Sequence, residues 1–193
     1  MTTHGSDSTT SEDAEIEIGN NQSDLPDIDI DRLRDTASKI RKLLGYQEYA
    51  VSIFLVDDED IQQMNESSRD INKPTDILSF PSHDCVAPGV LGEPIFGFLP
   101  DLTLGEVLID VPYIMRTCEP ENMMGIDDLG EYDDRGVAPA LDKVSDAETR
   151  IHMLLVHGML HLVGYDHIDD EDYELMVTKE DELLQQLGLP IAK

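Results

Sequence analysis

The chain predicts an α+β fold: a small mixed β-sheet packed with helices, one of them central and buried. Three observations predict it. β-branched segments and amphipathic helical segments are mixed without strict strand–helix–strand alternation. One helical stretch, opening at Ser145, carries Ile151, Leu154, Leu155, Met159 and Leu162 as a buried stripe. The length of 193 residues suits one domain of ordinary size, and an apolar content of 40% permits a core.

Each element has its own signal. Residues 31–44 predict a helix, because Leu33, Ala37, Ile40 and Leu43 recur at three- and four-residue spacing before Gly45. Its other positions are basic: Arg32, Arg34, Lys39, Arg41 and Lys42. Residues 48–56 (EYAVSIFLV) are β-branched and aromatic, hence a strand. Asp57 or Asp58 caps a short helix through Met64. Asp76 to Phe80 is a short strand after Pro74, closed by Pro81. Residues 82–100 are punctuated by Gly and Pro and show no clear period. Residues 102–111 (LTLGEVLIDV) form another strand, which Pro112 ends or follows with a helix. Ser145 and Glu148 have capping-box spacing at the start of the central helix, and Gly164 ends it. Residues 169–187 form an acidic amphipathic helix stopped by Gly188 and Pro190.

Charge is the unusual figure. Asp and Glu number 42 against 13 Lys and Arg, a formal net charge of -29. That excludes a broad basic face for duplex nucleic acid and a basic amphipathic membrane binder. No apolar run approaches the roughly 18 residues of a spanning helix, so no membrane partner is expected. The charge is uneven. Residues 1–31, 119–149 and 166–193 together hold -24 of it, and the other 103 residues carry only -5. Residues 1–30 read as a disordered acidic tail, 119–146 as an acidic loop insertion, and 31–190 as the folded domain. Cys85 and Cys118 lack CxxC spacing and read as reduced thiols.

The chemistry concentrates at residues 157–167, HGMLHLVGYDH. His157 and His161 are spaced i, i+4, so both imidazoles leave one helix face a turn apart. Gly164 stands where the helix must stop, and a left-handed glycine there can reverse the chain and return His167. Three neutral imidazoles with one open position form a catalytic-type zinc arrangement. The central helix therefore carries the zinc-binding His pair. His152 points about 140° away around the helix and reads as structural or exposed. His4 and His83 read as solvated. The frame also matches the zincin pattern in its metal positions, but Gly158 stands where a metalloprotease has its general-base Glu.

A second segment, 65–81, combines Arg69, Lys73, Asp76 and Ser79 around the start of a strand. Alone it reads as a solvated turn; beside a metal site, Arg69 and Lys73 become candidate phosphate clamps. Asp166 is a candidate carboxylate for orienting a ligating His, or simply a capping Asp. Tyr165 reads as packing rather than a substrate contact.

These segments resemble the YbeY family of endoribonucleases, or rRNA maturation factors. The matching residues are Asn65 and Arg69, KPTDILSFP at 73–81, LGEVLID at 104–110, and HGMLHLVGYDH at 157–167, and they span roughly 30–188 in order. The last is similar to the family signature H-G-x-L-H-L-x-G-Y-D-H at every specified position. One departure is Glu106, where the family has Asp; no catalytic role is assigned to it.

The resemblance implies a zinc-dependent, single-strand-specific endoribonuclease. It would act in 3′-end maturation of small-subunit rRNA and in ribosome quality control. It implies His157, His161 and His167 as ligands of Zn2+, and Arg69 as a catalytic residue. Lys73 is a substrate-binding candidate and Asp166 a supporting one. The implied partners are single-stranded RNA, the small ribosomal subunit with its proteins, and an assembly GTPase. The compartment is the cytoplasm for a bacterial chain and the plastid or mitochondrion for a eukaryotic one. Two rivals are a zincin-like zinc metallopeptidase and a non-catalytic ribosome-assembly factor. The near-neutral core, with five more bases on its first helix, is compatible with a short RNA strand threaded into a local site.

Overall fold

The structure, a computed structural model, describes residues 13–20, 28–95, 102–119, 138–141 and 143–191. The element order is β1 (Ile16–Asn20), α1 (Ile30–Leu43), β2 (Ala50–Val56), α2 (Asp58–Arg69), β3 (Ile77–Pro81), β4 (His83–Ala87), β5 (Val90–Pro94), β6 (Thr103–Asp110), α3 (Val111–Thr117), α4 (Ala138–Leu141), α5 (Ala147–Leu162) and α6 (Asp170–Leu187). This is the expected α+β class.

Four strands form one sheet in the order β1-β2-β6-β3. β1, β2 and β6 run parallel, and β3 pairs antiparallel to β6. Alternation along the strands gives the sheet two apolar faces. Ile53, Leu55, Val107 and Ile109 point into the main core with α1, α5 and α6. Val56, Leu78 and Leu108 point the other way, where Ile61 of α2 covers them beside Phe54 and Phe80. Eleven residues of α5 are buried, including His152, so this helix is the centre of the main core. On α1, Leu33, Ala37 and Ile40 are fully buried, as the spacing requires.

Two buried guanidiniums brace the fold. Arg41 donates through Nη1 to the carbonyls of Ala14 and Tyr49, at 2.7 Å each. This ties the lead-in of β1 to that of β2. Arg150 donates to the carbonyls of Val144 and Leu141, both at 2.8 Å, and to Thr117 Oγ1 at 2.9 Å. It thereby joins the end of α3 to the segment entering α5. Such charge-assisted bonds offset the cost of burying a cation, through three nitrogens for Arg150 and through Nη1 for Arg41, whose Nε has no partner.

Several expectations change. The acidic stretch 1–30 contains a strand, β1, because Ile16 and Ile18 pair along β2; residues 1–12 and 21–27 lie outside the described residues, as does most of 119–146. Within the latter segment, α4 is helical. Residues 82–95 form the β4–β5 hairpin, which no period announced. His83, expected to be solvated, is buried and packs edge-on against Tyr49 at 5.8 Å. The cap of α5 is Asp146, whose carboxylate accepts from Thr149 N, not Ser145. Pro112 opens α3 behind its cap, Asp110. Cys85 and Cys118 are free thiols. No described helix is long and apolar enough to cross a membrane.

The bases of α1 are also not available as expected. Arg32 pairs with Glu148, Arg34 with Asp31 and Lys39 with Asp35, at 2.7, 2.9 and 2.7 Å. Arg41 is buried. Acids have taken up most of this basic helix.

Asp110 carries a measurable consequence. It caps α3 through Tyr113 N at 2.9 Å and is fully buried. Burial pushes its carboxyl up to about 7, and the neighbouring Asp58 adds to this. Between about pH 4 and 7 the folded state therefore keeps a proton that the unfolded chain releases, so stability falls as pH rises through that window. Asp110→Asn removes this dependence. Measured by urea unfolding, wild type should lose stability relative to the variant from pH 4 to 7 and run parallel to it above.

Candidate metal centre

α5 delivers the first two imidazoles. His157 and His161 sit one turn apart near its C-terminal end, at the border between core and solvent. The helix then closes sharply. Gly164 N donates to the His161 carbonyl and Tyr165 N to the Leu160 carbonyl, both at 3.1 Å. Gly164 has φ +85, and a Cβ there would fall on the side chain of Cys85. Conformation and contact both demand glycine. The reversal brings back His167, as the spacing predicted.

The three rings converge. Ring centroids lie 4.6 Å apart for His157 and His161, 5.4 Å for His157 and His167, and 5.1 Å for His161 and His167. One nitrogen from each ring falls within a set whose members all lie within 4.8 Å of one another. The Nε2 atoms of His157 and His161 face each other at 3.1 Å. Two imidazole nitrogens at that separation call for a proton or a cation between them. Burial, then the other rings, pushes His157 down to about 4 and His161 to about 3. Both are neutral at ordinary pH and present lone pairs, as metal ligands must. The donor set fits a borderline-soft divalent cation.

The β4–β5 hairpin holds the turn in place. Gly89 N donates to the Val163 carbonyl at 2.8 Å, and Tyr46 Oη donates to the Gly89 carbonyl at 2.8 Å. Tyr165 is partly buried against the core and lies over Gly89, so it packs as expected.

The second segment lies beside the rings. α2 ends at Arg69, and Asp70 then takes the left-handed conformation at φ 59. Buried Asn65 donates to the Lys73 carbonyl at 2.9 Å and anchors the loop. Arg69 and Lys73 are both exposed, and neither forms an ion pair among the described residues. The Arg69 charge helps to depress His157, whereas Asp76 opposes it. Burial raises the Asp76 carboxyl, and His157 draws it back. The loop therefore brings the Arg69 charge within electrostatic reach of His157, with Lys73 exposed four residues further along.

Asp166 Oδ1 accepts from the backbone N of His167 at 2.8 Å, a turn bond, and its charge opposes the downward shift of His157 and His161. A second carboxylate reaches the rings from α6: Glu180 Oε1 lies 2.6 Å from His157 Nδ1. In the sequence Glu180 is one acid among many in an acidic helix. A signal was present: Met176, Leu183 and Leu184 form the buried stripe of α6, and Glu180 stands within it.

Gly158 explains the missing protease base. A Cβ there would lie 2.7 Å from Ile77 Cδ1, 3.0 Å from Ser79 Oγ and 3.1 Å from Val107 Cγ1. The residue after the first His faces the sheet, where α5 crosses β3 and β6. A Glu has no room at this position.

Several known proteins are similar to this chain. The family model described as Endoribonuclease YbeY matches residues 17–128 and 137–188. A human protein named Endoribonuclease YbeY is 31% identical over 156 residues, covering 81% of this chain and 78% of its own. One of the same name from Shouchella clausii is 34% identical over 146 residues, covering 74% and 75%. A solution structure from Thermotoga maritima aligns over 90% of this chain and 92% of its own, with 19% identity and a TM-score of 0.45.

The crossing at Gly158 yields a test. Gly158→Glu forces a charged side chain into an apolar contact and should cost about 3 kcal/mol or more. The expected outcome is a lowered Tm with no peptidase activity on casein. A stable variant that cleaves casein would contradict this packing.

Proposed function

Since the chain belongs to the YbeY endoribonuclease family, we propose that it is a zinc-dependent endoribonuclease specific for single-stranded RNA, acting in small-subunit rRNA 3′-end maturation and ribosome quality control. The observation that carries this reading is the convergence of three imidazoles, with the exposed cation Arg69 acting on His157 and Lys73 on the same loop. His157, His161 and His167 would hold the ion. Zinc at such a site acidifies water to a pKa of about 7 and neutralises phosphoryl charge.

The chain's own groups supply the rest. Arg69 is the catalytic cation in this reading and offsets charge that develops on the phosphate. Lys73 binds a neighbouring phosphate of the strand. With the α1 bases mostly tied to acids, this loop is the place where the chain can attract RNA despite its net charge of -29. The acidic surroundings disfavour random duplex and leave room for a short threaded strand. Against a peptidase stands Gly158, which supplies no base. The small ribosomal subunit, its proteins and an assembly GTPase are the partners we propose from the family resemblance. The cytoplasm for a bacterial chain, and the plastid or mitochondrion for a eukaryotic one, is the proposed compartment.

The test combines metal analysis with cleavage of an RNA carrying a small-subunit 3′-end. Wild type should bind about one zinc per chain and cleave; the His157→Ala/His161→Ala variant should do neither. Arg69→Ala should keep its zinc and lose roughly 100-fold or more in rate, as when a transition-state donor is removed. Full zinc occupancy in the double variant would end the ligand assignment, and unchanged cleavage by Arg69→Ala would end the assignment of Arg69. Lys73→Ala should weaken RNA binding uniformly across sequences and lower the salt slope by about one.

A further inference from the structure

We propose that Glu180 is a positioning residue of the metal centre: it orients the His157 ring and sets which of its nitrogens carries the proton. This rests on the reading of His157 as a ligand. Three observations carry it. First, Glu180 is only 2% exposed, within the stripe of Met176, Leu183 and Leu184, each at most 1% exposed. Every helical rule calls for an apolar side chain there. Second, a buried carboxylate is costly unless it is paired and hydrogen-bonded, and of the six other acids of α6 Asp170, Glu171, Glu174 and Glu182 are exposed while Asp172 and Asp181 are half-buried. Third, the partner it meets is Nδ1 of His157, at 2.6 Å, while Nε2 of the same ring faces His161 Nε2 at 3.1 Å.

The ring is therefore held from one side and offered from the other. With a cation on Nε2, the ring keeps its N–H on Nδ1, where the Glu180 carboxylate stands to accept it. The carboxylate also limits ring rotation, because the donor must stay on Oε1. The link joins α6 to the ligand helix α5, so the acidic C-terminal helix becomes part of the centre through one residue. Packing alone would be served better by Leu, since a buried polar pair is often no more stabilising than an apolar replacement of similar size.

That contrast supplies the experiment. Zinc affinity is measured by chelator competition for wild type, Glu180→Leu, Glu180→Gln and the His157→Ala/His161→Ala variant, together with the metal-free Tm. Glu180→Leu should keep or raise the metal-free Tm while zinc affinity falls about 10- to 100-fold. Glu180→Gln should lose less affinity, and it carries the measurement if the Leu variant does not fold. Nitrogen NMR of the metal-free protein should show the His157 proton on Nδ1 in wild type and divided between both nitrogens in Glu180→Leu. Wild-type zinc affinity in both Glu180 variants, with zinc lost from the double His variant, overturns the positioning role alone. Zinc retained by the double variant overturns the ligand reading on which it rests.

Discussion

Everything at the centre depends on how closely α5 lies against the sheet. Gly158 permits that approach, because the space a side chain would occupy already holds Ile77, Ser79 and Val107. With the helix seated there, His157 and His161 reach the border of the core, where burial keeps their rings neutral. Interiors packed to this density do not yield easily, so the ligand pair has a rigid base. The same contact removes the position a protease would use for its base.

Around that helix the fold adds supports of two kinds. One is backbone geometry: left-handed Gly164 turns the chain, and the β4–β5 hairpin bonds to the turn through Gly89. The other is buried charge with assigned partners. Arg41 and Arg150 donate to carbonyls of separate segments, and Glu180 meets His157. Each is a polar group in an apolar setting, held by short hydrogen bonds, although Nε of Arg41 is left without a partner. These groups link elements far apart in sequence, whereas the surface ion pairs of α1 mostly consume charge.

The net charge of -29 takes its meaning from this arrangement. A strongly acidic chain can still handle a polyanion if its free cations are local. Arg69, which acts on His157, ends α2, and Lys73 follows on a loop anchored by Asn65. Most of the bases of α1, which the composition offered for the same purpose, are engaged elsewhere.

The α+β class, the principal helices and strands, and the three converging His were legible in the sequence. They follow from local rules: 3.6-residue periodicity, β-branched runs and a glycine at a required reversal. The H-x3-H-x5-H frame needs only one helix and one turn, so spacing alone placed the ligands. Contacts that cross the chain were not legible. Glu180 lies 23 residues from His157 on another helix and resembles its acidic neighbours until packing shows it buried. His83 looked solvated because its hairpin has no period, and β1 looked like tail because a five-residue strand exists only by pairing with β2. Asp166 stands next to His167 in sequence, and that its Oδ1 bonds the backbone N of His167 is a turn detail that spacing does not give. Sequence separation sets which groups a helix or turn presents, but hydrogen-bond partners are chosen by distance in space, and that only the tertiary structure decided.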